Sequence, residues 1–279
     1  MSTAVFFPGS KIKEDLLQSG KKKFEQEIQQ NLTIFTVSDP EINYFSGSTQ
    51  NRLNSFNLAS EVGDYLWAVR GGYGTIEILS EVEKKIATLK DKFIVGFSDI
   101  TALHALFSNH GFSSFHAPMI ATRQWVESEG NILKSMRNLF ENKTLLPVPV
   151  NQDENITGRM VGGNLAVLAS LMGTPWQLKL NKGDVLLLEE INEPYYAMAR
   201  MLKQLSYTPN FYDCCLCWGE LKDCGKDFES EQMLINTLIE PYGIRSISGL
   251  KVGHGGINYP VKLGGNVKIE ANLLYCLDE

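Results

Sequence analysis

In "FIVGFSDITALHALF", residues 93–107, an apolar run gives way to a helical pattern at Ser98. A hydroxyl at a strand-to-helix junction can be raised as a nucleophile, with the amino end of the helix stabilising nearby negative charge. The glycine–x–serine–x–glycine form of that junction is incomplete, since Gly96 is present but Ile100 stands at the second glycine position. The same serine also fits a plain cap whose side chain accepts a helix amide. The segment alone leaves both readings open.

A nucleophilic serine needs a base, an orienting acid and donors for the developing oxyanion. "AVRGGYG", residues 68–74, sets Arg70, Gly71, Gly72, Tyr73 and Gly74 at the end of a strand. Glycines there let amides approach an anion closely, as an oxyanion hole or a phosphate cradle, or form a simple turn. Neither a dinucleotide nor a Walker pattern accompanies them. In "DVLLLEEINEPYY" a second strand ends in Glu189 and Glu190, and Glu193 suits a helix amino end. Adjacent strand residues face opposite ways, so only one of the pair can serve a given site, and the pattern does not choose.

Of the four histidines, His104 lies on the helix after Ser98 and His110 at its end, where partial positive charge is favourable. His116 reads as a core residue bonded to backbone. His254, in "LKVGHGGIN", sits on a glycine-shaped loop after a strand and is the best-placed base. The cluster "DCCLCWGELKDC" has no common zinc spacing and no histidine nearby, so its cysteines read as small hydrophobes rather than metal ligands. With Cys276 the count is odd, which argues against a disulfide framework. No metal and no cofactor is expected.

These residues must be held by ordered elements. "TAVFFP", "LTIFTV", "YLWAVR" and "KFIVGF" read as strands. Residues 11–30, 75–90 and 99–111 read as the helices between them, an alternation that implies a parallel sheet. Around residues 122–157 the pattern loosens. The second half is more mixed: helices over 163–173 and 194–205, strands over 183–189, 213–221 and 246–253, and an antiparallel tail over 258–277. The expected fold is α/β: a flavodoxin-like parallel-sheet domain over 1–135, a connection over 136–157, and a smaller β-rich domain over 158–279.

With 279 residues, 43% of them apolar, the chain can bury two cores. A net charge of −6 with scattered basic residues makes nucleic acid a poor partner and favours no anionic membrane. The amino terminus has only a four-residue apolar patch before Pro8, against roughly 7–15 for a secretory core and roughly 20 for a spanning helix. A soluble cytoplasmic protein is expected.

Taken together, "FSGSTQNRLNSFNLA", "AVRGGYG", "GFSDITAL", "GGNLAVLASLMGTPW", "LLLEEINEPYYAMARMLKQL" and "GHGG" resemble, in order and spacing, the LD-carboxypeptidases and their microcin self-immunity relatives. The resemblance implies a Ser98–His254–Glu189 triad, and so selects the first glutamate of the pair. It also implies an oxyanion hole from the amides of Asp99 and Gly72, with the serine on the first domain and Glu189 and His254 on the second. One departure is Ala199 before Arg200, where relatives often carry an acidic residue. The implied substrate is a cytoplasmic murein tetrapeptide losing its terminal D-alanine during wall recycling, and the implied assembly a homodimer. Arg70 and Gly71, beside the glycine turn, are candidates for the substrate carboxylate, and Asn164 and Trp176 for lining the cleft. Two alternatives stand: hydrolysis of a peptidyl-nucleotide amide, and a non-catalytic module using residues 70–74 to hold an anion.

Overall fold

The computed structural model describes residues 1–36, 44–151 and 154–277. Val37 of the second expected strand, residues 152–153 of the connection and residues 278–279 lie outside the described residues.

The first sheet has six strands in the order Val261–Leu263, Ser114–His116, Phe93–Gly96, Tyr65–Ala68, Thr3–Phe6 and Leu32–Ile34. Five run parallel, and Val261–Leu263 lies antiparallel on Ser114–His116 at the edge. The central strands are buried on both faces, which is why they appear as unbroken apolar runs rather than alternating ones. On one face, Leu17, Phe24, Met136, Leu139 and Phe140 from helices Glu14–Glu27 and Gly130–Asn142 pack around Trp67 and Trp125. On the other lie helices Thr49–Val62 and Thr101–Asn109. Ser48 caps the first of these, accepting the Asn51 amide at 3.2 Å.

Residues 75–90 do not form the single helix expected. They break into a 3₁₀ turn Thr75–Ile78, a short helix Leu79–Glu83 and a second 3₁₀ turn Ile86–Leu89. The buried residues Ile78 and Leu89 sit in the 3₁₀ pieces, whose tighter winding lets the segment follow the core surface.

The second sheet has seven strands in the order Ser246–Ile247, Cys215–Lys222, Val185–Ile191, Ile156–Asn164, Asn266–Glu270, Leu273–Cys276 and Val148–Pro149. Its first three pairings are parallel and its last three antiparallel, and the strands of the tail pair antiparallel as expected. The expected strand 246–253 shrinks to Ser246–Ile247, and the expected helix 163–173 to Leu165–Ser170. Strand Ile156–Asn164 takes the start of that helix because Gly162 and Gly163 hold φ of 122° and 139°. A Cβ on Gly162 would lie 2.2 Å from the Leu187 carbonyl oxygen, so glycine here marks close strand approach. Helix Glu231–Ile239, which the sequence reading does not identify, is capped by Ser230 accepting the Met233 amide.

One apolar cluster joins the sheets, running from Phe6, Leu66 and Ile94 through Leu103 and Phe107 to Val161, Leu188 and Trp218. Helix Thr101–Asn109 is buried along almost its whole length within it, which explains its apolar character on every face. The helix that follows Ser98 is thus fixed between both halves of the chain.

Candidate active site

Ser98 follows strand Phe93–Gly96 and opens a short 3₁₀ turn into helix Thr101–Asn109. Its φ is 63°, a left-handed conformation uncommon for a residue with a side chain. The turn is tight because Gly96 leaves room: a Cβ there would sit 2.9 Å from Ile100 Cγ1. The hydroxyl does not cap the helix. It lies 3.1 Å from His254 Nε2, while His254 Nδ1 lies 2.6 Å from Glu189 Oε2. With Glu189 ionised, Nδ1 carries the proton and donates to the carboxylate, leaving Nε2 to accept from the serine.

Glu189 is fully buried near the end of strand Val185–Ile191. The register against Cys215–Lys222 shifts between Leu188 and Glu190, a local bulge of the kind that re-aims side chains. Glycines make space around the carboxylate. A Cβ on Gly253, whose φ is 127°, would lie 2.8 Å from Glu189 Oε2, and one on Gly219 3.0 Å from Glu189 Cβ. Burial pushes the Glu189 carboxyl up, but the His254 and His116 imidazoles outweigh it and hold the group at about 2. Burial alone would lower His254, yet the Glu189 charge and hydrogen bond raise it above its ordinary value.

The neighbouring Glu190 faces the other way, as strand alternation requires. Its carboxylate accepts Asn164 Nδ2 at 3.0 Å, the Ala166 amide at 2.8 Å and the Ile191 amide at 2.8 Å. Burial raises it despite these donors. It secures the start of helix Leu165–Ser170.

The glycine turn stands beside the serine: a Cβ on Gly71 would be 3.2 Å from Ser98 Oγ. Gly72 has φ of 99°, and a Cβ there would strike Ser10 Oγ at 2.4 Å. Ser10 ties the turn down through its amide and hydroxyl, both donating to the Gly71 carbonyl at 3.1 and 2.9 Å. Asp99 Oδ2 accepts the Thr75 amide at 2.9 Å and its hydroxyl at 2.7 Å, and burial pushes the Asp99 carboxyl up to about 6. Arg52 completes the frame. Fully buried, it donates from Nη1 to the Pro8 and Gly74 carbonyls, each at 2.7 Å, and pairs with Glu77. No sequence signal singled out Arg52, because a lone arginine in a polar helix reads as a solvated position. A cavity of about 360 Å³ opens here, lined by Gly72, Tyr73, Ile76, Asp99, Val167 and Ser170.

The weaker candidates are used differently. Arg70 is exposed and donates to the Lys11 carbonyl at 2.9 Å, within the first half of the chain. Asn164 is buried; besides holding Glu190, it caps its helix by accepting the Val167 amide at 3.1 Å. Trp176 donates its indole N–H to Glu83 at 2.9 Å across the two halves. Neither side chain bonds to the Ser98, His254 or Glu189 side chains. Arg200 lies over the Tyr196 ring, 5.9 Å from its centroid. His110 bonds the Leu106 carbonyl at the helix end, 2.9 Å away. His116 is buried as expected, but neither ring nitrogen finds a backbone partner among the described residues. All five cysteines are free, and burial raises the thiols of Cys214, Cys215, Cys217 and Cys224.

Fold and site define a two-part α/β protein with a serine held in a strained strand-to-helix turn between a histidine loop and a glycine turn. Residues 4–117 match the model of the LD-carboxypeptidase N-terminal domain and residues 157–269 that of the C-terminal domain. The chain therefore belongs to the LD-carboxypeptidase family, and is a serine-type carboxypeptidase. It is 26% identical to the murein tetrapeptide carboxypeptidase of Pseudomonas aeruginosa, over 97% of this chain and 94% of that protein. The muramoyltetrapeptide carboxypeptidase structure from Oxalobacter formigenes superposes with a TM-score of 0.83 at 24% identity, over 98% of this chain and 97% of that one. The microcin C7 self-immunity protein of Escherichia coli is 22% identical over 81% of this chain and 77% of its own.

Proposed function

We propose that Ser98, His254 and Glu189 are a catalytic triad that releases the terminal D-alanine of a murein tetrapeptide by an acyl-enzyme route. The observation that carries this reading is the unbroken line of two hydrogen bonds, 3.1 and 2.6 Å, from the serine hydroxyl to a buried carboxylate. Ser98 attacks the carbonyl carbon of the amide before D-alanine while His254 takes the hydroxyl proton. His254 then protonates the departing amine, and water repeats the sequence to free the acyl group. Glu189 holds the tautomer that makes this possible and stabilises the imidazolium. The amides of Asp99 and Gly72 are the oxyanion donors, one in the turn that Ser98 opens and the other in the glycine turn beside it. Losing one such donor costs about 3–4 kcal/mol of transition-state stabilisation in a serine hydrolase.

The substrate is carried from the Pseudomonas relative, which is matched over nearly its whole length. No helix among the described residues is long and apolar enough to cross a membrane, and the reading puts the enzyme in the cytoplasm, on recycled wall peptides. A homodimer belongs to the same proposal and is checked by sedimentation. The test of function is incubation with murein tetrapeptide, following loss of one alanine by mass spectrometry. Wild type should release D-alanine, and Ser98→Ala should be slower by at least ~10⁴-fold while remaining folded. An aminoacyl-sulfamoyl adenosine is the control for the microcin-like alternative. No alanine loss from peptides ending in either D- or L-alanine would overturn the proposal, and full function in Ser98→Ala would point to a binding module.

A further inference from the structure

The fully buried His116 closes strand Ser114–His116, paired in register with Gly96 on one side and Val261 on the other. Among the described residues its Nδ1 and Nε2 have no hydrogen-bond partner, and neither does Glu189 Oε1. These orphans face each other: Nε2 and Oε1 are 3.9 Å apart. A water bridging them would need about 4.5 Å or more, so none fits between. Buried polar atoms left unpaired are rare because water no longer solvates them. Phe97 and His104 close the space around the ring, with centroids 5.7 and 6.3 Å away.

We propose that His116 is a positioning residue for Glu189: its Nε2–H faces Oε1 and, with His254 on Oε2, fixes the carboxylate between two imidazoles. The inference rests on the triad reading of Glu189 and His254. Glu189 is ionised and can only accept, so the Nε2 that faces it carries a proton. A side-chain adjustment that closes the 3.9 Å approach to about 3.2 Å makes it a hydrogen bond. His104 adds no charge of its own. Its Nε2 meets the Gly96 carbonyl at 2.9 Å and so donates, its Nδ1 accepts from Ser114 at 2.8 Å, and burial holds it neutral at about 3.

This arrangement has a measurable effect on His254. A donor on Oε1 draws charge away from Oε2 and tempers its pull on the His254 proton. Without that donor the Glu189–His254 pair binds its proton more tightly. The other ionisable groups around the pair are Glu190, His104 and the Cys224 thiol, and of these His104 alone also feels residue 116.

The experiment is an NMR titration of His254 in ¹⁵N-histidine-labelled full-length chain, comparing wild type with His116→Leu and His116→Gln. His116→Leu, which has no donor, should raise the His254 midpoint by about half a pH unit or more. His116→Gln, whose amide can reach the same oxygen, should stay close to wild type. With tetrapeptide, His116→Leu should lower kcat about tenfold at unchanged KM, the mark of an interaction made in the transition state. A His254 midpoint unmoved by His116→Leu would overturn the inference. Should that variant fail to fold, the wild-type ring shifts decide, since a protonated Nδ1 and bare Nε2 on His116 would also overturn it. The NMR result stands without substrate, whereas the triad proposal falls on absent alanine release, so the two failures are distinguishable.

Discussion

Ser98 keeps φ at 63°, which costs a non-glycine residue about 1–3 kcal/mol and persists only where its surroundings over-determine it. Here they do: Gly96 and Gly71 clear the space, and His254 receives the hydroxyl. The electrostatics of the pair behind it set two expectations. Because Glu189 raises His254, and the base must be neutral to act, kcat/KM should fall with decreasing pH through a midpoint above the ordinary histidine value of about 6.5. Glu189→Gln removes the charge and leaves the wrong tautomer, so the midpoint should drop and kcat should fall by about 10⁴-fold. A pH–rate profile of both proteins checks this; an unchanged midpoint in Glu189→Gln would contradict it. The choice of Glu189 over Glu190 was not legible in the residues alone. Alternation says that they diverge, but only the packing of Gly253 and Gly219 shows which one the histidine loop reaches.

At the scale of elements, glycines do much of the positioning. Gly253 carries the His254 loop past Glu189, and Gly253→Ala would drive a Cβ to 2.8 Å from Oε2 at a φ of 127°. That displacement should lower kcat/KM by about 10²-fold or more, the usual effect of misplacing a reacting group by an ångström. Asn164 is a cap and a partner for Glu190, so Asn164→Ala should destabilise the protein by about 1–2 kcal/mol, read from urea midpoints. A raised KM at unchanged stability would instead make it a substrate contact. The fully buried strands were readable as apolar runs, and the serine junction and the histidine loop as places where backbone demands concentrate. Strand Ile156–Asn164 was not, because its glycine pair hides the pattern that marks a strand. Residues 75–90 misled for another reason: apolar positions three and four apart suit both an α-helix and a string of 3₁₀ turns. The bonds of Arg52 and the approach of His116 to Glu189 were not readable, since the groups they meet lie on other elements.

Across the whole molecule, the two sheets are tied twice. Strand Val261–Leu263 leaves the second half of the chain to edge the first sheet, and a common apolar cluster surrounds helix Thr101–Asn109. The separation into strand–helix alternation first and a β-rich half later was visible in the pattern. The return of residues 261–263 was not, because a three-residue strand carries no address for its partner. The halves should therefore unfold together. Tryptophan emission from Trp67 and Trp125 in the first half and Trp218 in the second should change at one urea midpoint, coincident with circular dichroism. Two separated transitions would contradict this. The same union brings Ser98 and His254, 156 positions apart, into contact. Whether that contact activates the serine is read most directly by labelling with a fluorophosphonate, which reacts with an activated serine hydroxyl, and mapping the adduct by mass spectrometry. Rapid modification of Ser98 is expected in wild type, and its near loss in His254→Ala. Modification of another serine, or an undiminished rate in His254→Ala, would contradict it.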